Sequence, residues 1–177
     1  MIFVTGNKNK LKEFESILGV KLENSEIDLD EIQSIKVEEV AKHKAKQAFQ
    51  ILKQPVIVED TGLYFEEFNG FPGALIKFLI KNIPLEKICS FLKENRKARA
   101  VTCIGYCDDN GVKLFIGEIK GIIADFPRGN SDFGWDPIFI PEGNDKTFAE
   151  MGEEEKNKVS MRKQALDKLK LFLLDKK

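Results

Sequence analysis

The stretch Val56-Ile57-Val58-Glu59-Asp60-Thr61-Gly62 joins a run of β-branched residues to two carboxylates and a turn-forming pair. A run without polar alternation is typical of a strand that is covered on both faces of a sheet. Before it, apolar residues recur at helical spacing over residues 37–52 and stop ahead of Gln54-Pro55, which predicts a long amphipathic helix. A helix followed by a buried strand favours an α/β fold with helices flanking a sheet.

Toward the N-terminus, residues 2–4 form a short β-rich run that ends in Thr5-Gly6-Asn7, which predicts a strand followed by a turn. Apolar residues at helical spacing from Leu11 to Leu18 predict a helix that stops at Gly19. A short strand is expected within residues 20–29. This part of the chain therefore adds a strand and a helix to the predicted α/β fold.

Toward the C-terminus the pattern changes to a hairpin. Residues 100–107 and 112–124 are two strand-like runs joined by Asp108-Asp109-Asn110-Gly111, and Asn-Gly is a strong turn signal. An antiparallel hairpin in such a chain predicts a mixed sheet. The other expected elements are a loop at 69–73, helices at 74–82 and 85–95 divided at Pro84, a Gly- and Pro-rich loop at 127–137, a strand at 138–140 and a final amphipathic helix at 159–173.

The composition of the 177 residues restricts the classes of protein to consider. Lys and Arg total 28 and Asp and Glu total 29, and the resulting net charge of -1 argues against a nucleic-acid binder. A hydrophobic fraction of 42% excludes a disordered chain, and no apolar run approaches the ~18–20 residues of a membrane span. Three cysteines without a CxxC pair predict a reduced, cytoplasmic protein, and the length predicts a single domain over residues 1–177.

The first candidate site is the turn Thr5-Gly6-Asn7-Lys8-Asn9-Lys10 between the first strand and the first helix. Backbone N–H groups and the positive end of a helix suit an anion, and the lysines add charge. The hydroxyl and amide side chains supply further donors. The alternative is an ordinary strand-to-helix turn with surface lysines, since the segment is not a GxxxxGK[ST] phosphate loop.

The second candidate is Glu59-Asp60-Thr61, at the predicted carboxyl end of the buried strand, where ligand clefts form in α/β sheets. Adjacent residues of an extended strand point to opposite faces, so one carboxylate can face a cleft while the other supports it. Glu31 offers a second carboxylate, and hard oxygen ligands of this kind suit a metal ion. The alternative is a solvated turn, since Asp-Thr-Gly is good turn chemistry.

Two further candidates lie nearer the C-terminus. The loop Phe133-Gly134-Trp135-Asp136-Pro137 holds the sole tryptophan beside an aspartate, and a nucleobase suits a stacking ring with an acceptor next to it. The segment Lys156-Asn157-Lys158-Val159-Ser160-Met161-Arg162 enters the last helix with a serine that can cap it and an arginine. The alternatives are a hydrophobic staple for the tryptophan loop and a solvated helix start for the second segment.

The remaining residue types exclude several kinds of catalysis. The one histidine, His43, lies on a lysine-rich helix face, so a Ser/His/Asp or Cys/His triad is not credible. Cys103 and Cys107 fall on one face of a strand and are expected to be core thiols. Lysines, carboxylates, hydroxyls and a stacking loop together suit metal-assisted phosphoryl chemistry on a nucleotide.

Taken in order, five segments resemble the inosine/xanthosine triphosphate pyrophosphatase family. They are Val4-Thr5-Gly6-Asn7 with Lys10, Val58-Glu59-Asp60-Thr61-Gly62-Leu63, Asn69-Gly70-Phe71-Pro72-Gly73, Phe133-Gly134-Trp135-Asp136-Pro137-Ile138-Phe139, and Phe148-Ala149-Glu150-Met151 with Glu155-Lys156-Asn157. The resemblance spans nearly the whole chain and implies a two-lobed α/β fold around a long mixed sheet, with flanking helices, a central nucleotide cleft and a homodimer. It also implies Mg²⁺-assisted hydrolysis of ITP, dITP and XTP to the monophosphate plus pyrophosphate, which cleans the nucleotide pool.

The resemblance further implies a role for each matching residue. Thr5, Asn7, Lys8 and Lys10 would hold the triphosphate; Glu31 and Asp60 would bind Mg²⁺, with Asp60 also the candidate general base; Lys44 and Lys77, with Thr61 beside them, would neutralise phosphate charge; Phe133 and Trp135 would flank the base, Asp136 would read its edge, and Lys156 and Arg162 would close over base and phosphates.

Two positions depart from the family's pattern. Met161 stands where the family usually has the histidine of Ser-His-Arg, and a methionine packs against a base without donating a hydrogen bond, so we expect looser purine discrimination. Asp132 stands where many members have glycine, and we expect that change to affect loop shape more than chemistry.

Two other interpretations remain open. A non-catalytic nucleotide-binding regulatory module would share the phosphate-binding turn without a working metal site, although Glu31, Asp60 and the lysines together argue against it. An RNA-binding protein that uses the aromatics and lysines fits poorly with the net charge of -1 and with a chain that has no RNP-type strand.

Overall fold

One mixed sheet organises the residues that the structure, a computed structural model, describes, namely 1–19, 21–131 and 134–176. Within these residues the sheet has seven strands: β1 (Ile2–Val4), β2 (Glu23–Ser25), β3 (Val56–Phe65), β4 (Pro72–Gly73), β5 (Lys97–Asp108), β6 (Gly111–Ile123) and β7 (Phe139–Pro141). The same residues form six α-helices: α1 (Lys8–Leu18), α2 (Val37–Leu52), α3 (Ile76–Asn82), α4 (Leu85–Phe91), α5 (Glu153–Val159) and α6 (Met161–Asp175). The predicted α/β class with a long mixed sheet is confirmed.

The strand order creates a gap beside the central strand. The order is β2-β1-β3-β5-β6-β7, with β1 parallel to β2 and β3 and the other pairs antiparallel. Along one edge, β3 pairs with β1 at residues 56–57 and with the short β4 at residues 63–64. Among the described residues no strand pairs with residues 58–62 on that edge. We call this interruption the β3 gap.

The strand β3 is longer than the sequence predicts. The pattern predicted a strand over 56–58, and the alternative of a solvated turn after it is wrong, because Val56–Phe65 pairs residue for residue with β5. Gly62 lies inside the strand, and a Cβ there would approach the backbone carbon of Gly73 to 2.8 Å. Because β3 continues through residues 59–62, Glu59 and Asp60 lie on the part of the strand that borders the β3 gap.

Other boundaries differ by a few residues. The helix predicted over 85–95 ends at Phe91. The final helix begins after Ser160, whose backbone is extended and whose Oγ accepts from the Lys163 N–H at 3.1 Å, so the predicted capping role is confirmed. The preceding residues form the separate helix α5. The helix predicted over 37–52 and the 100–124 hairpin are confirmed.

Alternation along β3 decides which side of the sheet each carboxylate faces. Val56 and Val58 pack with Ala45 and Ala48 of α2, whereas Ile57 packs on the other face with apolar residues of α1 and α6. Because successive side chains of a strand point to opposite faces, Glu59 lies on the side of α1 and α6, and Asp60 lies on the side of α2. The two carboxylates therefore enter different surroundings although they are neighbours in sequence.

The start of α6 lies directly against the sheet at Gly117 of β6. A Cβ at this position would lie 1.8 Å from the carbonyl oxygen of Met161, so only glycine permits this approach. The close contact fixes where Met161 and Arg162 begin the helix. No helix of the described residues is long and apolar enough to cross a membrane.

Candidate functional site

A cavity of about 590 Å³ opens along the β3 gap and brings the candidate segments together. The predicted site residues that line it are Thr5, Gly6, Asn7, Lys10, Glu31, Lys44, Asp60, Thr61, Lys77, Gly134, Trp135, Asp136, Lys156, Met161 and Arg162. Lys8 is exposed and does not line this cavity, and Asn9 lines a smaller neighbouring cavity of about 340 Å³. Phe133, a predicted base-flanking residue, lies outside the described residues, as does Asp132.

The turn after β1 uses its polar side chains to hold its own shape. Thr5 Oγ1 accepts from the backbone N–H of Asn7 at 3.1 Å. Asn7 caps α1, because its Oδ1 accepts from the N–H groups of Asn9 at 3.0 Å and Lys10 at 3.1 Å. A Cβ at Gly6 would meet nothing within 4 Å, so the turn leaves open space at its tip. The side chains that the sequence assigned to phosphate binding therefore also build the start of α1.

On the α2 side of the sheet, one ammonium joins the two carboxylates predicted to bind metal. Lys44 Nζ lies 2.8 Å from Glu31 Oε1 and 3.2 Å from Asp60 Oδ1. Burial alone would lower the pKa of Lys44, but the charges of Asp60 and Glu31 outweigh it and raise that pKa above its ordinary value. Lys77 Nζ lies 3.6 Å from Glu31 Oε2 on a largely exposed side chain.

The second oxygen of Asp60 is buried without a partner. Asp60 Oδ2 has no hydrogen-bond partner, and burial raises the pKa of this carboxyl although Lys44 and Lys10 oppose the shift. A buried acceptor left without a partner costs about 1–3 kcal/mol, more when it is charged. An additional cation or donor at this oxygen would remove that cost.

The donor set fits a Mg²⁺ ion that is completed by substrate. Mg²⁺ usually binds through one or two carboxylates together with water and substrate phosphates. Glu31 and Asp60 supply two such carboxylates, and the described residues contain no group of three or more His, Cys, Asp or Glu side chains suited to a metal. The arrangement therefore suits a shared metal that arrives with a triphosphate better than an ion held by protein alone.

On the opposite face, Arg162 is part of a buried charge network. Its guanidinium is 2% exposed, with Nε 2.7 Å and Nη2 3.0 Å from the two carboxylate oxygens of Glu59, while Nη1 donates to Glu13. Lys10 Nζ lies 3.0 Å from Glu59 Oε1, and the Thr61 hydroxyl donates to the same oxygen at 2.9 Å. Arg162 was predicted to close over base and phosphates; in the structure it lines the cavity, but its guanidinium is already bonded to Glu59 and Glu13.

The two carboxyls of this network have opposite pKa shifts. Burial alone would raise the pKa of Glu59, but Arg162 and Lys10 outweigh it and hold the pKa well below its usual range. Burial raises the pKa of Glu13, and the charge of Arg162 only partly offsets this. Sequence reasoning did not select Glu13; the only available signal is its place one helical turn after Lys10.

Replacing Glu59 with glutamine is expected to destabilise the fold in a pH-dependent way. Because the pKa of folded Glu59 lies below its ordinary value of 4.5, the stabilisation by its charge is fully present above about pH 4.5 and decreases as the pH falls below it. The difference in free energy of unfolding between wild type and Glu59→Gln should therefore be largest near neutral pH and shrink toward about pH 3, as urea titrations at several pH values can measure.

The exposed Glu94 offers a matched control for this comparison. Glu94→Gln should change the free energy of unfolding little at any pH. A difference between wild type and Glu59→Gln that grows on acidification would contradict the assignment of Glu59 as a permanently charged group.

The remaining wall of the cavity consists of Trp135, Asp136, Lys156 and Met161. Trp135 is 8% exposed and packs edge-on against Phe139, with ring centroids 5.8 Å apart, so it also serves as the staple considered from sequence. Asp136 Oδ2 accepts from Ser131 Oγ at 2.8 Å and lies 2.5 Å from Lys156 Nζ. Met161 is almost fully buried in the same apolar cluster as Trp135. This wall thus combines an aromatic edge, a buried ion pair and a thioether.

Comparison with known proteins identifies relatives over nearly the whole length. The model of the Ham1 family matches residues 1–172. A dITP/XTP pyrophosphatase of Methanopyrus kandleri is 47% identical over 174 residues, covering 95% of this chain and 93% of that protein. An inosine triphosphate pyrophosphatase of Candida glabrata is 47% identical over 184 residues, covering 97% of this chain and 95% of that protein.

Solved structures of proteins named as Ham1 also resemble this chain. A HAM1 protein from Coxiella burnetii superimposes with a TM-score of 0.87 at 28% identity, covering 98% of both chains. The Ham1 protein of Staphylococcus aureus gives a TM-score of 0.79 at 29% identity, covering 99% of both chains. The likeness of fold therefore extends over nearly the whole chain.

Proposed function

The chain belongs to the Ham1 family, and on that premise we propose that it hydrolyses the deaminated-purine nucleoside triphosphates ITP, dITP and XTP to the monophosphate and pyrophosphate. It is a hydrolase of nucleoside triphosphates, and its reaction removes damaged nucleotides from the precursor pool. The related proteins named as dITP/XTP and inosine triphosphate pyrophosphatases support this substrate class.

One observation carries the assignment to this cavity. Asp60 presents a buried carboxylate oxygen without a partner in the same cavity that Lys10, Lys44 and Lys77 line. A triphosphate carries three to four negative charges, and cations in a shielded cleft stabilise both these charges and those that develop during cleavage. A carboxylate among lysines is then available to a metal ion or to a water molecule.

The protein's residues divide the work of cleavage between binding and orientation. Lys44 and Lys77 neutralise phosphate oxygens, and Lys10, held by Glu59, adds a third positive charge. Asp60 accepts a hydrogen bond from the attacking water and orients it toward the α-phosphorus. The new bond joins the water oxygen to that phosphorus, the bond from phosphorus to the bridging oxygen breaks with release of pyrophosphate, and one proton of the water is lost to the solvent. Mg²⁺ held by Glu31 and Asp60 would supply further positive charge beside the phosphates.

Base selection is proposed to depend on Asp136. A 6-oxopurine carries a hydrogen on N1, whereas adenine has a bare acceptor there, so a carboxylate accepts from the first and repels the second. A site built on such a hydrogen bond can discriminate by about 10⁴–10⁵-fold. Guanine shares the N1 hydrogen, and Met161 offers no hydrogen-bond donor with which to discriminate between purines. We therefore expect the rejection of ATP to be strong and the rejection of GTP to be weaker.

Product analysis on a nucleotide panel tests the reaction and this selectivity together. With Mg²⁺ present, ITP, dITP and XTP should each give the monophosphate and pyrophosphate, GTP should give measurable turnover, and ATP should give almost none. Comparable rates on ITP and XTP with negligible GTP turnover would contradict the expectation for Met161. Orthophosphate as the released product would mean attack at a different phosphorus, and binding without turnover would favour the regulatory module.

The remaining proposals concern organisation and location. We propose that residues 1–177 form a single two-lobed domain, which the continuous sheet supports, and that it works as a homodimer. Two exposed apolar side chains support an interface in this region: Phe71, which directly precedes β4, and Phe78, which lies on α3. We place the enzyme in the cytoplasm, since Cys89, Cys103 and Cys107 are all buried free thiols, as a reducing compartment favours.

A further inference from the structure

We propose that Lys44 acts as an internal substitute for the divalent cation, so that the nucleotide-free enzyme binds metal weakly and the triphosphate opens the metal site by drawing Lys44 away. This inference rests on the proposed function. The amine nitrogen of Lys44 touches both carboxylates that the metal would need, at 2.8 Å from Glu31 and 3.2 Å from Asp60. A metal ion cannot use these two oxygens while the ammonium holds them.

The balance of charges around Lys44 supports its role in place of the divalent cation. Lys44 and Lys77 provide two positive charges beside the two carboxylates of Glu31 and Asp60. A divalent cation that approaches the nucleotide-free enzyme therefore meets a cluster that is already neutral. Such an ion must lose part of its hydration shell without the electrostatic gain that a pair of unpaired carboxylates would give.

The position of Lys44 allows its head group to move while its backbone stays fixed. The helix α2 is anchored by fully buried alanines, Ala41, Ala45 and Ala48, which pack against the sheet. The lysine stem is flexible and its ammonium is a compact charge that can turn toward a new anion. The unpartnered Asp60 Oδ2 shows that the ammonium satisfies this pair of carboxylates incompletely.

A bound triphosphate changes the competition between Lys44 and the metal ion for Glu31 and Asp60. Its oxygens offer both lysines additional anionic partners, so Lys44 can leave Glu31 and Asp60, and Lys77 can leave Glu31. The carboxylates are then released to a metal that also binds the phosphates. Because coupling between two ligands is reciprocal, metal and triphosphate should strengthen each other's binding, within the roughly 5–150-fold range usual for such coupling.

Binding of Mn²⁺, measured by the electron paramagnetic resonance of the unbound ion, tests the inference without reliance on turnover. Lys44→Met should bind Mn²⁺ in the absence of nucleotide about tenfold or more tightly than wild type, because the competing ammonium is gone. Wild type should bind Mn²⁺ at least about fivefold more tightly with α,β-methylene ITP present, after correction for Mn²⁺ bound by the analogue alone. The enhancement by the analogue should shrink in Lys44→Met.

Two further variants distinguish the effect of the charge at residue 44 from a general effect of altering α2. Lys44→Arg keeps a cation at the position and should retain the weak nucleotide-free binding of wild type. Lys42→Met removes an exposed lysine from the same helix and should leave Mn²⁺ binding unchanged. Thermal unfolding of each variant checks that α2 is intact, and the arginine variant tests the charge even if the methionine variant is unstable.

The outcomes distinguish this inference from the proposed function. If wild type converts ITP to IMP and pyrophosphate but Lys44→Met binds Mn²⁺ no more tightly than wild type, the inference is overturned and the function stands. The same holds if Lys44→Arg binds nucleotide-free Mn²⁺ as tightly as Lys44→Met. If no variant binds Mn²⁺ with or without the analogue, the inference fails together with the metal role of Glu31 and Asp60.

Discussion

Asp60→Asn is expected to reduce the turnover of ITP by about 10²–10⁴-fold, the range typical for loss of a group that acts on the proton or orientation of an attacking nucleophile. The amide keeps the size of the side chain but loses the negative charge that would hold a metal or orient water. In the structure, one oxygen of Asp60 contacts Lys44 and the other is buried without a partner, so the carboxylate is only partly engaged by the protein. The rate of IMP and pyrophosphate release measures the change.

The fold should survive this substitution. Burial raises the pKa of Asp60, which means that its ionised form is unfavourable in the folded protein relative to the unfolded chain. A neutral amide is therefore expected to leave the free energy of unfolding unchanged or slightly increased. The exposed Asp109, in the hairpin turn, is a matched control, and Asp109→Asn should retain full turnover. Near-normal turnover in Asp60→Asn would rule out the assignment of this residue.

Arg162→Met is expected to destabilise the protein by about 3–5 kcal/mol, which is the usual effect of removing one partner from a buried ion pair. The guanidinium makes two hydrogen bonds to Glu59 and one to Glu13, and both carboxylates are buried. Without it, these charges would remain beneath the cavity with Lys10 as the neighbouring cation of Glu59. Urea-induced unfolding measures the loss directly.

A combined variant separates charge from packing. If uncompensated charge causes the loss, then adding Glu59→Gln and Glu13→Gln to Arg162→Met should recover part of the stability, because neighbouring substitutions of this kind are not additive. The adjacent Lys163 pairs with Asp167 on the surface, so Lys163→Met should cost less than about 1 kcal/mol. Equal losses in Arg162→Met and Lys163→Met would show that the network contributes little.

The sequence predicted which segments meet at the cavity better than it predicted the side-chain contacts between them. The turn at residues 5–10 and the start of α6 lie at a strand end and a helix start, which local patterns reveal, and the Glu59-Asp60-Thr61 stretch was expected at a strand end although β3 continues through it. Such junctions meet at one place in α/β sheets, so a common cavity could be expected. Local patterns also predicted the cap at Ser160, because capping depends on neighbouring residues only, whereas the cap at Asn7 was found in the structure.

Non-local contacts explain what the sequence did not reveal. The extent of β3 depends on its register with β5, whose residues lie some forty positions later, and the local Asp-Thr-Gly pattern favours a turn instead. The Arg162 network joins residues 103 and 149 positions apart, to Glu59 and Glu13. A lysine-rich helix gives no sign that one of its glutamates is buried, since burial is decided by the elements packed against it.

The β3 gap has a consequence for solubility. A strand edge without a partner exposes backbone groups to which a further strand, from another molecule, can add, and such edges promote aggregation. Here the gap is bordered by Glu31, Lys44, Asp60 and Lys77, whose charges an apolar strand would have to bury. The ionic side chains therefore also disfavour the addition of a foreign strand at the β3 gap. If all four charged side chains were neutralised to make the cavity suit an apolar ligand, the strand edge would lose this protection. We expect such a variant to form fibrous aggregates.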